Sequence, residues 1–110
     1  MIIAEVDEAS EQTKLDDIEL INKIKSSKNG FDFITLYNGD MSKYSNDHSS
    51  ADLALCNILA FWTGCDIDQM DRIFRSSALM RDKWDRNLGK TTYGNYVLQK
   101  AIDATREVYQ

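Results

Sequence analysis

Residues 50–63, SADLALCNILAFWT, constrain the fold more than any other stretch of the chain. Ala51, Leu53, Ala54, Leu55, Cys56, Ile58, Leu59, Ala60, Phe61 and Trp62 place apolar groups on nearly all sides of a helix. A helix of that kind must be covered by others. Ser49 or Ser50 suits its N-cap, Asp52 its positive first turn, and Gly64 its end. The rest of the sequence is therefore expected to supply a bundle around it.

Candidate partners lie on both sides. From Asp16, Leu15, Ile18, Ile21 and Ile24 recur at three-residue steps with Leu20 alongside, which predicts an amphipathic helix. Asp16 and Asp17 suit its start, Lys23, Lys25 and Lys28 its end, and Asn29-Gly30 its stop. Residues 31–38, FDFITLYN, read as a short helix facing inward through Phe31, Ile34 and Tyr37, because a lone strand has nothing to pair with. A polar loop follows at 40–50. Beyond the central helix, Asp66 and Gln69 form a capping-box pattern ahead of a buried stripe of Ile67, Met70, Ile73 and Phe74. Ser76-Ser77 interrupts, a short segment runs from Leu79 to near Trp84, and a loop surrounds Gly89. A last helix is expected from about Tyr93 to about Val108, with Val97, Leu98, Ala101, Ile102, Thr105 and Val108 inward. The expected fold is all-α, a compact bundle of five to six short helices with one central apolar helix. It occupies residues 15–110, after an acidic linker or flexible arm at 1–14.

A hydrophobic fraction of 43% against 28% charged residues is enough for one core and argues against global disorder. No apolar run approaches the ~18 residues of a membrane span. The acidic start lacks the features of a secretory signal, so a cytoplasmic protein is expected. Cys56 and Cys65, nine positions apart, fit neither a zinc spacing nor a disulfide framework and are expected to be reduced thiols without metal.

The net charge of -5 is unevenly distributed. Residues 1–20 carry -6, so the other ninety sum to +1. Within those, residues 72–90 hold Arg72, Arg75, Arg81, Lys83, Arg86 and Lys90 against Asp82 and Asp85, a local +4. An acidic isoelectric point therefore does not exclude an anionic partner.

Catalytic signatures are sparse. His48 is the single histidine, beside Asp47 in a serine-rich loop, and no nucleophile can be set against it from spacing. Asp66, Asp68 and Asp71 crowd a helix start, where negative charge is favourable without a metal, and no EF-hand register exists. The Gly-Lys-Thr at 89–91 lacks the upstream glycine of a phosphate loop. No catalytic residue, metal or cofactor is assigned.

The segment FRSSALMRDKWDR, residues 74–86, leaves two readings open. In the first, Arg75, Arg81, Lys83, Arg86 and the following Lys90 bind phosphates, Ser76 adds a neutral donor, and Trp84 stacks on an unpaired base. In the second, Phe74 and Trp84 are core and Arg81 pairs with Asp85 across one turn.

Residues 49–86, SSADLALCNILAFWTGCDIDQMDRIFRSSALMRDKWDR, followed by TTYG at 91–94, resemble the helical-bundle domain of phage, plasmid and mobile-element primase-polymerases. The upstream KSSKNGFDFITLYNGD resembles the first part of such a bundle, so the likeness covers about 15–108. In that family the bundle is joined to an archaeo-eukaryotic-type primase core, usually with a superfamily-three helicase-like ATPase downstream. The core's paired acids and histidine and the helicase's Walker motifs have no counterpart here. The resemblance thus implies a role in DNA replication and priming without a catalytic residue. It implies a domain or small partner of a primase-polymerase and helicase, in the same or an adjacent chain, that helps engage single-stranded DNA. The alternative is a spacer that joins those modules without touching DNA. No membrane partner is expected.

Overall fold

The computed structural model describes residues 15–109, and the arm expected at 1–14 lies outside them. Among the described residues there are five α-helices: α1 (Asp17–Lys25), α2 (Gly30–Tyr37), α3 (His48–Thr63), α4 (Ile67–Ser76) and α5 (Tyr93–Ala104). Two short 3-10 turns, Ser42–Tyr44 and Asp82–Asp85, lie in the connections. The fold is all-α, with one local exception. The loop expected around Gly89 is a small antiparallel hairpin, β1 (Asn87–Leu88) with β2 (Thr91–Thr92), in register Asn87 to Thr92 and Leu88 to Thr91.

The helix read as central is central. α3 packs against α1, α2, α4 and α5, and buries Ala51, Leu55, Cys56, Leu59 and Ala60. Each large aliphatic side chain so enclosed stabilises the fold by about 1.5–3 kcal/mol relative to exposure. Leu20 and Ile24 of α1, Phe33 and Leu36 of α2, Met70, Ile73 and Phe74 of α4, Val97, Leu98 and Ala101 of α5, and Leu79 and Trp84 between the last two helices complete the core. α3 starts at His48 with Asp47 as its cap residue, a little before the serines expected there, and Asp47 accepts the Ser50 hydroxyl at 2.6 Å. Gly64 ends it in the left-handed conformation at φ 69°.

Several local expectations are corrected. The stripe read for α1 holds except at Ile18: Leu20 and Ile24 are buried and Leu15 and Ile21 pack against the core, but Ile18 is exposed. A period of three drifts away from the true 3.6-residue stripe within two turns. Phe31 likewise points to solvent while Phe33 and Leu36 go inward. α1 ends at Lys25, and Gly30 opens α2 rather than closing α1. The capping box of α4 is half formed. Asp66 accepts from the N–H groups of Asp68 and Gln69, but the Gln69 side chain donates to the Leu15 carbonyl and to Asp17. α5 stops at Ala104, so Thr105 and Val108 lie beyond it, where the Tyr109 N–H bonds the Phe61 carbonyl at 2.8 Å.

No helix among the described residues is long and apolar enough to cross a membrane. Both cysteines are free. Cys56 lies in the core of α3, where burial pushes its thiol well above the usual range, whereas Cys65 is half-buried just past the helix end. The folded protein is expected to release about one equivalent with Ellman's reagent and about two in denaturant, since only accessible thiolates react. Rapid labelling of both thiols in the native state contradicts this packing.

Candidate nucleic-acid interface

The basic segment begins on the outer face of α4. Arg72 reaches back to α1, its Nε and Nη2 donating to Asp17 at 2.8 and 3.1 Å. That hydrogen bond holds the Asp17 carboxyl below its ordinary range. Arg75 is held from two sides, by Asp85 at 2.6 and 3.1 Å and by Asp71 at 2.8 Å, and these bonds raise its already high pKa. The Ser76 hydroxyl donates to the Ile73 carbonyl and lies 2.7 Å from the Tyr37 hydroxyl. Arg75 and Ser76 thus have internal partners.

Arg81 turns inward. Its Nη1 and Nη2 donate to the two oxygens of Asp52 at 3.1 and 2.9 Å, and Nη1 also reaches the Leu79 carbonyl. Asp52 is 0% exposed in the first turns of α3, and its Oδ2 additionally accepts the Tyr93 hydroxyl at 2.6 Å. The Asp52 hydrogen bond raises the Arg81 pKa. Burial first, then the bond to Asp52, pushes the Tyr93 hydroxyl above the usual phenol range. The pairing of Arg81 with Asp85 considered from spacing does not form, because residues 82–85 wind as a 3-10 turn and Asp85 is taken by Arg75.

Trp84 is 1% exposed. One face stacks on Phe74, with ring centroids 3.6 Å apart and planes within 9°. The other lies on the first turn of α5 at Gly94, where a Cβ would stand 2.5 Å from the indole ring. The indole N–H donates to Asp71 at 2.8 Å, on the carboxylate that also holds Arg75. With both faces covered, Trp84 has none to offer a base. Of the two readings of this residue, the stacking role is corrected and the core role holds.

Two linked knots emerge, Asp52–Arg81–Tyr93 and Phe74–Trp84–Gly94 with Asp71, Arg75 and Asp85. They fasten the irregular segment 77–92 to α3, α4 and α5. Sequence reading had found Arg75, Arg81 and Trp84 but missed their acceptors. Asp52 was legible only as a helix-start acid, and Gly94 only as part of a helix-opening motif.

Lys83, Arg86 and Lys90 remain. The Lys83 ammonium sits 4.5 Å from the centre of the Tyr93 ring. Arg86 and Lys90 are exposed on either side of β1, and neither has a carboxylate partner among the described residues. The Arg86 carbonyl accepts the Tyr93 N–H at 2.9 Å, which ties this basic hairpin to the start of α5. No cluster of three or more His, Cys, Asp or Glu side chains among the described residues is arranged to hold a metal. His48 lies exposed at the first position of α3.

Fold and fastening together define a small helix-bundle module whose signature residues hold its irregular segment in place. Residues 48–110, more than half of the chain, match the family described as the NrS-1 polymerase HBD domain, and the chain belongs to that family. The DNA primase-polymerase of Nitratiruptor phage NrS-1 is 53% identical over 70 residues, which cover 64% of this chain and 10% of that protein. The chain thus corresponds to about a tenth of its relative's length. The resemblance to a phage primase-polymerase helical domain holds.

Proposed function

We propose that this bundle is a non-catalytic module of a replicative primase-polymerase that helps engage single-stranded DNA template through the bases around its hairpin. The observation that carries this reading is what remains after internal pairing. Arg72, Arg75 and Arg81 are held by carboxylates, whereas Arg86 and Lys90 are solvent-facing with no carboxylate partner among the described residues. From Arg86 to Ile102 the sequence contains Arg86, Lys90 and Lys100 and no acid, in a chain of net charge -5. Phosphate groups fit such a surface, and each contact releases counterions. That the relative is a DNA primase-polymerase supports a template as the partner.

Binding of a single-stranded oligonucleotide is expected to weaken with salt by about 0.7 log units per phosphate contact, giving a slope near -2 for Lys83, Arg86 and Lys90 together. The Arg86→Ala, Lys90→Ala double variant should flatten that slope by about 1.4 without changing the melting temperature, because neither group bonds the core. An unchanged slope contradicts the assignment.

A second reading is a protein-interaction bundle that joins primase and helicase modules without touching DNA. An open cavity of about 540 Å³ favours it, walled by Ile58, Phe61, Trp62 and Tyr109 on the side of α3 that faces Lys28 and Asp32. A wild-type chain that fails to bind any oligonucleotide at low salt favours this second reading.

A further inference from the structure

The outer stripe of α5 carries a combination that neither the knots nor the hairpin account for. Tyr96 is 49% exposed, and the Lys100 ammonium lies 5.9 Å from its ring centre. Tyr93, Tyr96 and Lys100 stand three and seven positions apart, so they fall within one narrow arc of the helix surface. At 1.5 Å per residue the stripe is about 10 Å long. It starts where Lys83 covers Tyr93 and where the Arg86 carbonyl accepts the Tyr93 N–H, and it runs away from the hairpin. The Asn95 side chain, next to Tyr96, donates to the Thr91 hydroxyl at 2.9 Å and keeps β2 against this turn of α5. The stripe is therefore continuous with the basic hairpin, and from Arg86 to Ile102 no acid interrupts it.

We infer that Tyr96, flanked by Lys100, is the platform on which a base of single-stranded DNA stacks while Arg86 and Lys90 hold the neighbouring phosphates. This rests on the template-engagement reading above and moves the aromatic contact from Trp84 to α5. Charge complementarity selects the occupant. An aromatic face beside an ammonium group, with no acid from Arg86 to Ile102, suits a polyanion that carries flat rings. Tyr96 is suited to the role that Trp84 cannot fill, because half of its surface is free.

The test compares two labelled strands of equal length, an oligothymidylate and an abasic strand with the same phosphates, by fluorescence anisotropy on the full chain. Tyr96→Ala should weaken oligothymidylate binding about 5- to 150-fold, leave the abasic strand's affinity unchanged and leave the salt slope unchanged. Tyr96→Phe keeps a ring and should bind as wild type does. Lys100 adds one phosphate contact to those of the hairpin, so Lys100→Ala should flatten the slope for both strands by about 0.7. Since Tyr96 is a surface position on a helix and alanine is a good helix former, the variant should melt as wild type does. Equal losses on both strands, or no loss on either, overturn the platform while leaving the hairpin contacts in place. If wild-type protein binds neither strand, the template reading itself fails, and the platform with it.

Discussion

Replacing Trp84 by alanine should destabilise the domain by about 3–5 kcal/mol, the range for removing a large buried aromatic side chain. A domain of this size shifts by about 4–8 °C per kcal/mol, so the melting temperature should fall by about 12 °C or more. Three losses combine. The cavity is bounded by Phe74 on one side and by Gly94 on the other, and neither is placed to fill it without moving a helix. The stacked pair with Phe74 disappears. Asp71 loses the indole N–H and keeps only Arg75. Trp84→Phe restores most of the volume and the stack but not the hydrogen bond, so it should recover more than half of the loss. A Trp84→Ala protein that melts like wild type yet fails to bind oligonucleotide would return the residue to the surface role, the other of the two sequence readings.

The second large effect belongs to Asp52. Asp52→Ala leaves the Arg81 guanidinium and the Tyr93 hydroxyl without their shared acceptor, inside a site where the carboxylate had no exposure. Breaking a buried pair by removing one partner costs about 3–5 kcal/mol, chiefly because the other charge is left desolvated. Set against a total stability of about 5–15 kcal/mol, that is a large share. Arg81→Ala should cost at least as much, since it strands the fully buried Asp52 carboxylate with the Tyr93 hydroxyl as its remaining side-chain donor, whereas a stranded Arg81 guanidinium keeps 25% of its exposure. A double-mutant cycle should show coupling of about 1–3 kcal/mol, because the second deletion removes a group that the first had already stranded. Chemical denaturation of the four proteins measures this directly. Additive losses would mean that the two side chains act independently of each other.

A buried Trp84 is one of the two readings that the sequence leaves open, whereas the Asp52 knot is not visible there, and the reason is geometric. What depends on periodicity was legible there: the enclosed α3, the Asp66 cap and Gly64 stop, the break after Ser76, and helical rather than extended residues 31–37. What depends on long-range meeting was not. Asp52 and Arg81 are 29 positions apart, Asp52 and Tyr93 41, and Arg75 finds Asp85 ten positions on. The i,i+4 rule offered Asp85 to Arg81, and that rule presumes an α-helix where the chain makes a 3-10 turn. The same limit left the candidate site open between two readings. A run of arginines around a tryptophan has one composition whether it faces a polyanion or its own acids. Only the acceptors' positions decide, and those for Arg75 and Arg81 come from three different segments. Lys83, Arg86 and Lys90 were legible as bases, but the hairpin that presents the last two was read as a loop, because a two-residue strand has no periodicity to detect.

The indole lying flat on Gly94 also restricts how such a sequence can change over time. While Trp84 is present, any side chain at 94 collides with its ring, so substitutions there are deleterious whatever their chemistry. Once a smaller residue stands at 84, the same substitutions become tolerable and some would refill the void. The order of events therefore matters. A lineage leaves this arrangement only through a state that has lost the tryptophan and not yet gained its replacement, and that state bears most of the stability loss. The two positions form an epistatic pair, in which the effect of a change at one is set by the occupant of the other.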